Sequence, residues 1–390
     1  MRILQLAKYY PPAPGGIETF VRDLSHGLVA QGHGNMVLAH RFHRTEPKEL
    51  TGSMGRVVRV PSHGEVMYSP VAPTYLLHLR RALRTFRPDA VLVHMPNVSG
   101  FWPLLLRLPC PLIAYWHSDV IFPAQKRLHR AAYTAYALFE RALLSRAAEI
   151  IATSPPYLEH SLPLRPFRDK CTVIPLAIDP GRMPACSAAD VAAAKERFLG
   201  DADAEYIYAA GRFAHYKGFE HLIRAARLAK GRLPELRYVI AGEGETRRDI
   251  LRLIEREGLC GLVRCPGHVD NADYWALMAG CKAFCLPSVE RTEAFGIVLL
   301  EAMALGKPCI STSIPGSGTA WINRHGETGI VVEPGNAEAL AEAFAAVEPP
   351  ATDTEGGSFQ QVPDLNDCVR LVAEAVARAK KRVPGHLPDR

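Results

Sequence analysis

Short runs of apolar and β-branched residues alternate along this chain with longer stretches in which apolar positions recur at helical spacing. "RILQLA", "NMVLAH", "RVVRV", "DAVLVH", "PLIAYW", "EIIATS" and "CTVIP" make a first series. After a polar interruption, "YIYAAG", "RYVIAG", "LVRCPG", "AFCLPS", "PCISTS" and "GIVVEP" make a second. Runs this short read as strands, and their near-continuous apolarity means that both faces are covered. The amphipathic stretches between them supply the cover, which is the pattern of βαβ units and a parallel sheet. Helices are predicted over 74–87, 125–146, 186–199 and 365–382.

Because the rhythm occurs twice, the expected architecture is α/β with two Rossmann-like, doubly wound domains, residues 1–180 and 181–345. They meet near 175–187, where "IPLAIDPGRMP" has the prolines and glycine of a linker. A chain of 390 residues exceeds one ordinary core and suits two domains of about 150 to 200 residues. Residues 346–390 stand apart: a Pro/Gly/Thr/Ser-rich loop near 349–363 precedes one amphipathic helix. That helix either returns to the first domain or forms a loosely docked basic tail. Doubly wound sheets bind ligands at the carboxyl ends of their strands, so a cleft between two facing domains is the expected site.

Composition narrows the class. Hydrophobic residues at 48% and charged residues at 22% are those of an ordinary soluble globular protein. The longest apolar stretches, near 101–116, are broken by Pro103, Pro109 and Pro111, far short of the roughly 20 residues that span a bilayer. The start "MRILQLAKYYPP" lacks a basic region ahead of a long apolar run, so no signal peptide and a cytoplasmic location are expected. The nine cysteines are scattered, with no C-x-x-C pair and no neighbouring histidine cluster. Cys281 and Cys285 read as buried reduced thiols, and no structural metal is expected.

Charge is uneven. Residues 1–185 hold 22 Lys and Arg against 12 Asp and Glu, whereas the remainder is acidic. Much of the excess falls in the predicted helices at 74–87 and 125–146, mixed with Leu, Tyr and Phe. It is either a solvated helix face or a surface for something anionic, a lipid headgroup or lipid-linked phosphate at the inner face of a membrane. No nucleic-acid motif accompanies it, so nucleic acid is not an expected partner.

Several motifs sit where a strand hands over to a helix. "PPAPGGIETF" follows the first strand, and Gly15 and Gly16 can present backbone N–H groups to an anion at a helix N-terminus. A glycine pair also makes any tight turn. "GRFAHYKGF" takes the equivalent place in the second domain, with Arg212 and Lys217 around one turn. An Arg fork and a Lys point charge suit a diphosphate. Neither this turn nor "IAGEGETRRD" has G-x-G-x-x-G spacing, which disfavours a nicotinamide enzyme.

"SVERTEAFGIVLLEAMALGKP" places Glu293 before a predicted helix and Glu301 within it. Residues eight apart on a helix differ by about 12 Å along its axis, too far for a glycosidase pair at about 5 to 9.5 Å. The spacing suits two ends of one long ligand. Glu301 lies in a helix apolar nearly all round and is expected to be buried with a hydroxyl or cationic partner. Between the two glutamates lie Gly296 and Ile297, whose amides can meet phosphate. A sugar, a diphosphate and a ribose in line satisfy these groups, and that ligand is a nucleotide sugar.

The E-x7-E of Glu293 and Glu301, the "GR-x4-KG" turn, the "GGIE" loop, "YWHSD" with His117 and "IPLAID" together resemble family 4 of the retaining glycosyltransferases, of GT-B fold. The likeness runs from residue 1 to about 335. It is similar in particular to bacterial mannosyl- and rhamnosyltransferases of polysaccharide and O-antigen assembly. The resemblance implies retaining hexosyl transfer from a nucleotide sugar, GDP-mannose first, to a glycan or lipid-linked acceptor. It implies that Arg212 and Lys217 neutralise the diphosphate, helped by Gly15, Gly16 and the Ala294, Phe295, Gly296 and Ile297 segment. Glu293 would hold sugar hydroxyls and Glu301 the ribose. His117 would lie near the reacting carbon, with Glu18 and Asp119 on the acceptor side and Asp119 able to orient His117. Without the resemblance, His117 reads as a satisfied core histidine. No metal or other cofactor is implied, since Arg and Lys supply the charge, and "DAD" at 201–203 is a chance match. A nucleotide-sugar epimerase of the same fold and a catalytically silent nucleotide-sugar-binding protein stay open as alternatives. The segment after 346 departs from the family's usual aromatic and Arg-rich return to the first domain.

Overall fold

A computed structural model describes residues 1–66, 69–121, 127–348 and 363–382. The predicted loop at 349–363 lies outside these residues except for Pro363, as do the first two positions of the helix predicted at 125–146. The chain divides into two compact units, Met1–Ile178 with Pro363–Arg390, and Asp179–Val362.

The first unit is built on β1 (Arg2–Leu6), β2 (Gly34–His40), β3 (Glu49–Gly52), β4 (Gly55–Val60), β5 (Glu65–Val66), β6 (Ser69–Pro70), β7 (Ala90–Met95), β8 (Leu112–Trp116), β9 (Glu149–Ala152) and β10 (Cys171–Val173). Eight of them form one sheet in the order β10-β9-β8-β7-β1-β2-β4-β3, while β5 and β6 pair separately. Within the eight-stranded sheet all neighbours are parallel except β3, which runs antiparallel to β4 at the edge. The central strands β7 and β8 are buried at every position, as two-sided cover by helices requires. Those helices are α1 (Gly16–Ala30), α2 (Tyr75–Phe86), α3 (Arg127–Arg146) and the short α4 (Pro155–His160).

The second unit repeats the plan with β11 (Tyr206–Ala210), β12 (Arg237–Ala241), β13 (Val263–Gly267), β14 (Ala283–Leu286), β15 (Cys309–Thr312) and β16 (Gly329–Val332). They form one parallel sheet, β13-β12-β11-β14-β15-β16. Its helices are α5 (Ala188–Leu199), α6 (Phe219–Ala229), α7 (Arg247–Arg256), α8 (Asn271–Gly280), α9 (Ile297–Ala304), α10 (Thr319–Ile322) and α11 (Ala337–Ala346). Strand order reverses at the first strand in both sheets, so β1 and β11 deliver their following loops to the switch point where such folds hold ligands.

The last described element, α12 (Leu365–Arg382), belongs to the first unit. Its apolar stripe, including Val369, Val372 and Val376, is buried against α1 and the sheet. Its last turns carry cations onto the amino ends of the strands. Arg378 forks onto the buried carboxylate of Glu149, and Lys380 reaches Asp89 at 2.9 Å. Cations there also complement the helix dipole. The α1–α12 contact depends on Gly27, where a Cβ would fall 2.5 Å from Val369 Cγ2. Val369 is β-branched and fully buried, so it has little freedom to turn aside. Gly27→Ala is therefore expected to destabilise the protein by about 1–3 kcal/mol through overpacking, despite the better helix propensity of alanine. Thermal unfolding of the two proteins checks this, and an unchanged or raised midpoint contradicts it.

Candidate functional site

In the second unit the site grows from the turn after β11. Residues 215–217 make a single 3-10 turn that ends on Gly218, whose φ of 65° is left-handed. A Cβ there would lie 2.2 Å from the carbonyl oxygen of Pro287, so the lysine turn packs directly on the loop that follows β14. A backbone bond from Val289 N–H to the Tyr216 carbonyl at 2.8 Å ties the two loops. Lys217 is thereby drawn inward to 8% exposure, with its side chain lying over Gly211.

The ammonium of Lys217 donates to Glu293 Oε2 at 2.5 Å, and Ser288 Oγ donates to the same oxygen at 3.1 Å. Burial alone would depress the Lys217 pKa; the Glu293 carboxylate, with Tyr216, outweighs it and Arg212's opposing charge, so the ammonium is held above its ordinary value. Arg212 is exposed and makes no hydrogen bond or ion pair among the described residues. Ala294 and Phe295 are buried beneath the loop. Gly318 N–H donates to the Ala294 carbonyl at 2.8 Å, and the Ser317 hydroxyl to the Glu293 carbonyl. Gly296, at φ 81°, turns the chain into α9, and Ile297 is its first residue.

Glu301 departs from expectation in its burial. It is half-buried, because the helix that carries it is short and one side is not covered. Its hydroxyl partner is Tyr274 of α8, which donates to Oε2. Burial and then the Glu301 charge push that phenol's pKa well above its ordinary value. The structure thus joins Lys217 with Glu293 and holds Glu301 through a separate tyrosine. Tyr274 and Ser288 were not legible as site residues, since a hydroxyl within an apolar helix or a strand-end "PS" has no distinctive spacing.

In the first unit, the loop after β1 is held by Arg59, a buried guanidinium that donates to the Pro11 carbonyl at 2.6 Å and pairs with Glu46 at 3.4 Å. Gly15 sits at φ 152°, ψ 150° before α1. A Cβ on it would fall 2.1 Å from Glu18 Oε2, so the Glu18 carboxylate folds back over Gly15 in the first turn, where the helix dipole favours it. Gly16 opens the helix.

His117 follows β8, is 3% exposed, and its N–H donates to the Met95 carbonyl at 2.9 Å. Its Nε2 lies 2.9 Å from His94 Nδ1, and His94 Nε2 lies 2.8 Å from Gln5 Oε1. His117 Nδ1 is buried without a hydrogen-bond partner. Burial, and then His94, drives the His117 pKa well below its ordinary value; burial takes His94 to about 3. Both rings are neutral. Asp119 does not hydrogen-bond His117. Its Oδ1 accepts from Trp116 Nε1 at 2.8 Å and Ser161 Oγ at 2.7 Å, and its N–H meets the Tyr157 hydroxyl. The side chain within hydrogen-bond distance of the His117 ring is His94, whose sequence signal is a polar residue near the end of an apolar strand. Among the described residues, no three His, Cys, Asp or Glu side chains gather to hold a metal, and no helix is long and apolar enough to cross a membrane.

The chain is similar in sequence and fold to known proteins. Residues 191–349 match the model for glycosyl transferases group 1, and residues 14–182 that for glycosyltransferase family 4. The chain is 30% identical over 348 residues to the O-antigen chain mannosyltransferase C of Escherichia coli, spanning 88% of each. It is 30% identical over 354 residues to the D-rhamnosyltransferase WbpZ of Pseudomonas aeruginosa, spanning 88% of this chain and 86% of that one. Among solved structures, Anabaena Alr3699/HepE in complex with UDP and glucose superposes with a TM-score of 0.71 at 20% identity, over 97% of this chain and 99% of that one. That likeness carries the fold. With both halves matched in order and a relative at 30% identity over most of its length, the chain belongs to the family 4 glycosyltransferases of GT-B fold.

Proposed function

We propose that this glycosyltransferase moves a hexosyl unit from a nucleotide sugar to a glycan or lipid-linked acceptor in cell-surface polysaccharide synthesis, with retention at the anomeric carbon and without a metal ion. GDP-mannose is the first donor to try: the Escherichia coli relative is a mannosyltransferase, which supports the sugar, and the nucleotide is part of the proposal. The observation that carries the reading is the ion pair of buried Lys217 with half-buried Glu293 beside exposed Arg212 at the carboxyl ends of β11 and β14. Two cations, Lys217 held in place and Arg212 free to close on the ligand, neutralise a leaving diphosphate, which is transition-state charge stabilisation without a Lewis acid. The carboxylate next to them receives sugar hydroxyls, and Glu301 receives the ribose. Gly15, Gly16 and the Ala294 to Ile297 segment add backbone donors to the phosphates. His117 lies by the reacting sugar, and Glu18 and Asp119 serve the acceptor. A donor phosphate oxygen takes the acceptor's proton on the face from which the diphosphate leaves. The basic first unit is proposed to meet an anionic membrane surface from the cytoplasm.

The test is release of nucleoside diphosphate from a panel of GDP- and UDP-hexoses, with and without a chelator and with lipid-linked acceptor extracts. Turnover of one donor that needs acceptor and survives chelation is expected. Turnover without acceptor, with an altered free sugar as product, identifies an epimerase instead. Donor binding with no diphosphate release under any condition identifies a silent binding protein.

A further inference from the structure

Gln5, His94 and His117 stand on one face of three adjacent strands or their ends, and we propose that this hydrogen-bonded row fixes the tautomer of His117 so that its bare Nδ1 accepts a hydrogen from a substrate sugar hydroxyl, with His94 and Gln5 as positioning residues. The proposal rests on the glycosyl-transfer reading above, which already sets His117 by the reacting sugar, and adds to it the two residues that prepare His117 for that place.

The registers place the row. Gln5 pairs with Leu92 across β1 and β7, and His94 pairs with Tyr115 across β7 and β8. Side chains two residues apart on a strand share a face, so stepping two residues further at each strand brings Gln5, His94 and His117 into a diagonal. The rings lie nearly parallel, with His94 to His117 centroids 5.2 Å apart and Tyr115 stacked on His117 at 4.7 Å.

The direction of every bond in the row follows from its far end. Asn35 Nδ2 donates to the Met54 carbonyl at 2.7 Å, so Asn35 Oδ1 is an acceptor. Ser25 Oγ spends its hydrogen on the Val21 carbonyl at 2.6 Å, so it too accepts. Both face the amide nitrogen of Gln5, at 2.7 and 3.0 Å. With its nitrogen committed, Gln5 turns its oxygen to His94, and an amide oxygen can only accept. His94 Nε2 therefore carries the hydrogen, and neutral His94 offers its Nδ1 lone pair to His117. His117 must donate from Nε2, which leaves Nδ1 without a hydrogen. That nitrogen is the one buried without a partner.

A histidine kept for packing would have both nitrogens occupied, and His40 of this same sheet does: its Nδ1 is 2.6 Å from the Lys8 carbonyl and its Nε2 2.9 Å from Ser99 Oγ. His117 is different in being satisfied on one side alone. Its place at the carboxyl end of β8, with Phe20 of α1 edge-on at 5.6 Å, is where doubly wound sheets meet their ligands. A bare imidazole nitrogen accepts from O–H or N–H and repels phosphate and carboxylate oxygens. Of the three parts of a nucleotide sugar, the diphosphate is thereby excluded, and the sugar is the hydroxyl-rich part at the reacting end.

The experiment is nitrogen-15 NMR of the full chain labelled at histidine, with kinetics of His94→Phe and His94→Gln. In the free protein at neutral pH, His117 is expected to show a protonated Nε2 and a bare Nδ1. UDP or GDP alone should leave the Nδ1 resonance in place, and the nucleotide sugar that is turned over should move it toward hydrogen-bonded values. Phenylalanine keeps the stacking but cannot accept, so His117 should mix tautomers and kcat should fall about tenfold or more, with a smaller change in donor KM. Glutamine can accept from His117 and donate to Gln5, and should restore most of kcat. If His94→Phe does not fold, the wild-type and His94→Gln spectra decide by themselves. A protonated Nδ1 in the wild type overturns the proposal, as does a folded His94→Phe protein with unchanged kcat. A bare Nδ1 in a protein that turns over no donor overturns the sugar assignment together with the transfer reading, and leaves the tautomer row standing.

Discussion

Lys217→Ala is expected to lower kcat/KM for transfer by roughly 10²–10³-fold, the scale of losing one preorganised charge at a developing anion. The structure makes the loss worse than simple neutralisation. Lys217 Nζ is 2.5 Å from Glu293 Oε2, so removing it leaves a carboxylate, with Ser288 still donating to it, facing the position assigned to the diphosphate. The same pairing alters what substitution of Glu293 would do. From sequence, Glu293 lies in a polar loop, and Glu293→Ala reads as costing transfer far more than stability. Because Lys217 is buried, deleting its partner leaves an ammonium without compensation, a change on the order of 3–5 kcal/mol for a fully buried pair. Glu293→Gln separates the two effects, since the amide oxygen still accepts from Lys217 and Ser288 while the charge is gone. It keeps the hydrogen bonds without the counter-charge, so it should fold with a melting temperature between those of Glu293→Ala and wild type, and show turnover reduced about 10²-fold. Steady-state kinetics and thermal unfolding on both variants check this. A folded Lys217→Ala protein with full turnover defeats the diphosphate assignment.

Deleting residues 363–390 is expected to abolish cooperative folding of the first unit. Val369, Val372 and Val376 of α12 are fully buried, and burial of each contributes about 1.5–3 kcal/mol. Three such residues approach the whole stability of an ordinary domain, about 5–15 kcal/mol. The deletion also strips Arg378 from Glu149, which is 0% exposed, leaving Thr172 Oγ1 at 3.0 Å as its remaining side-chain donor among the described residues. Arg378→Ala isolates that contribution. Arg378 is itself part-exposed, so solvent screens the pair, and a loss of about 1–3 kcal/mol is expected. Circular dichroism melts and size-exclusion chromatography distinguish the outcomes. A truncated chain that melts cooperatively at the wild-type temperature would make α12 a loosely docked tail after all.

Much of the fold was legible because burial on both faces leaves a plain mark. Each of the thirteen apolar runs lies on a strand. The strand "ELTG" of β3 was not legible, since it is an antiparallel edge with mostly exposed side chains and needs no apolar pattern. The helix of Glu301 misled for a related reason. An all-apolar sequence implies burial all round, yet α9 spans only Ile297–Ala304, and a helix that short can leave one position half open.

The sequence by itself determined the two parallel sheets, the loops that follow their first strands, and the acidic and basic residues in those loops, because strand and helix periodicity and turn chemistry are local properties. Tertiary structure decided the partners: Lys217 with Glu293 across 76 residues, His94 with Gln5 across 89, and Glu149 with Arg378 across 229. Those pairings set which charges are buried, which tautomer a histidine holds and where α12 docks. They depend on strand order and on the desolvation of groups brought together from distant points, and neither is written in the spacing of residues along the chain.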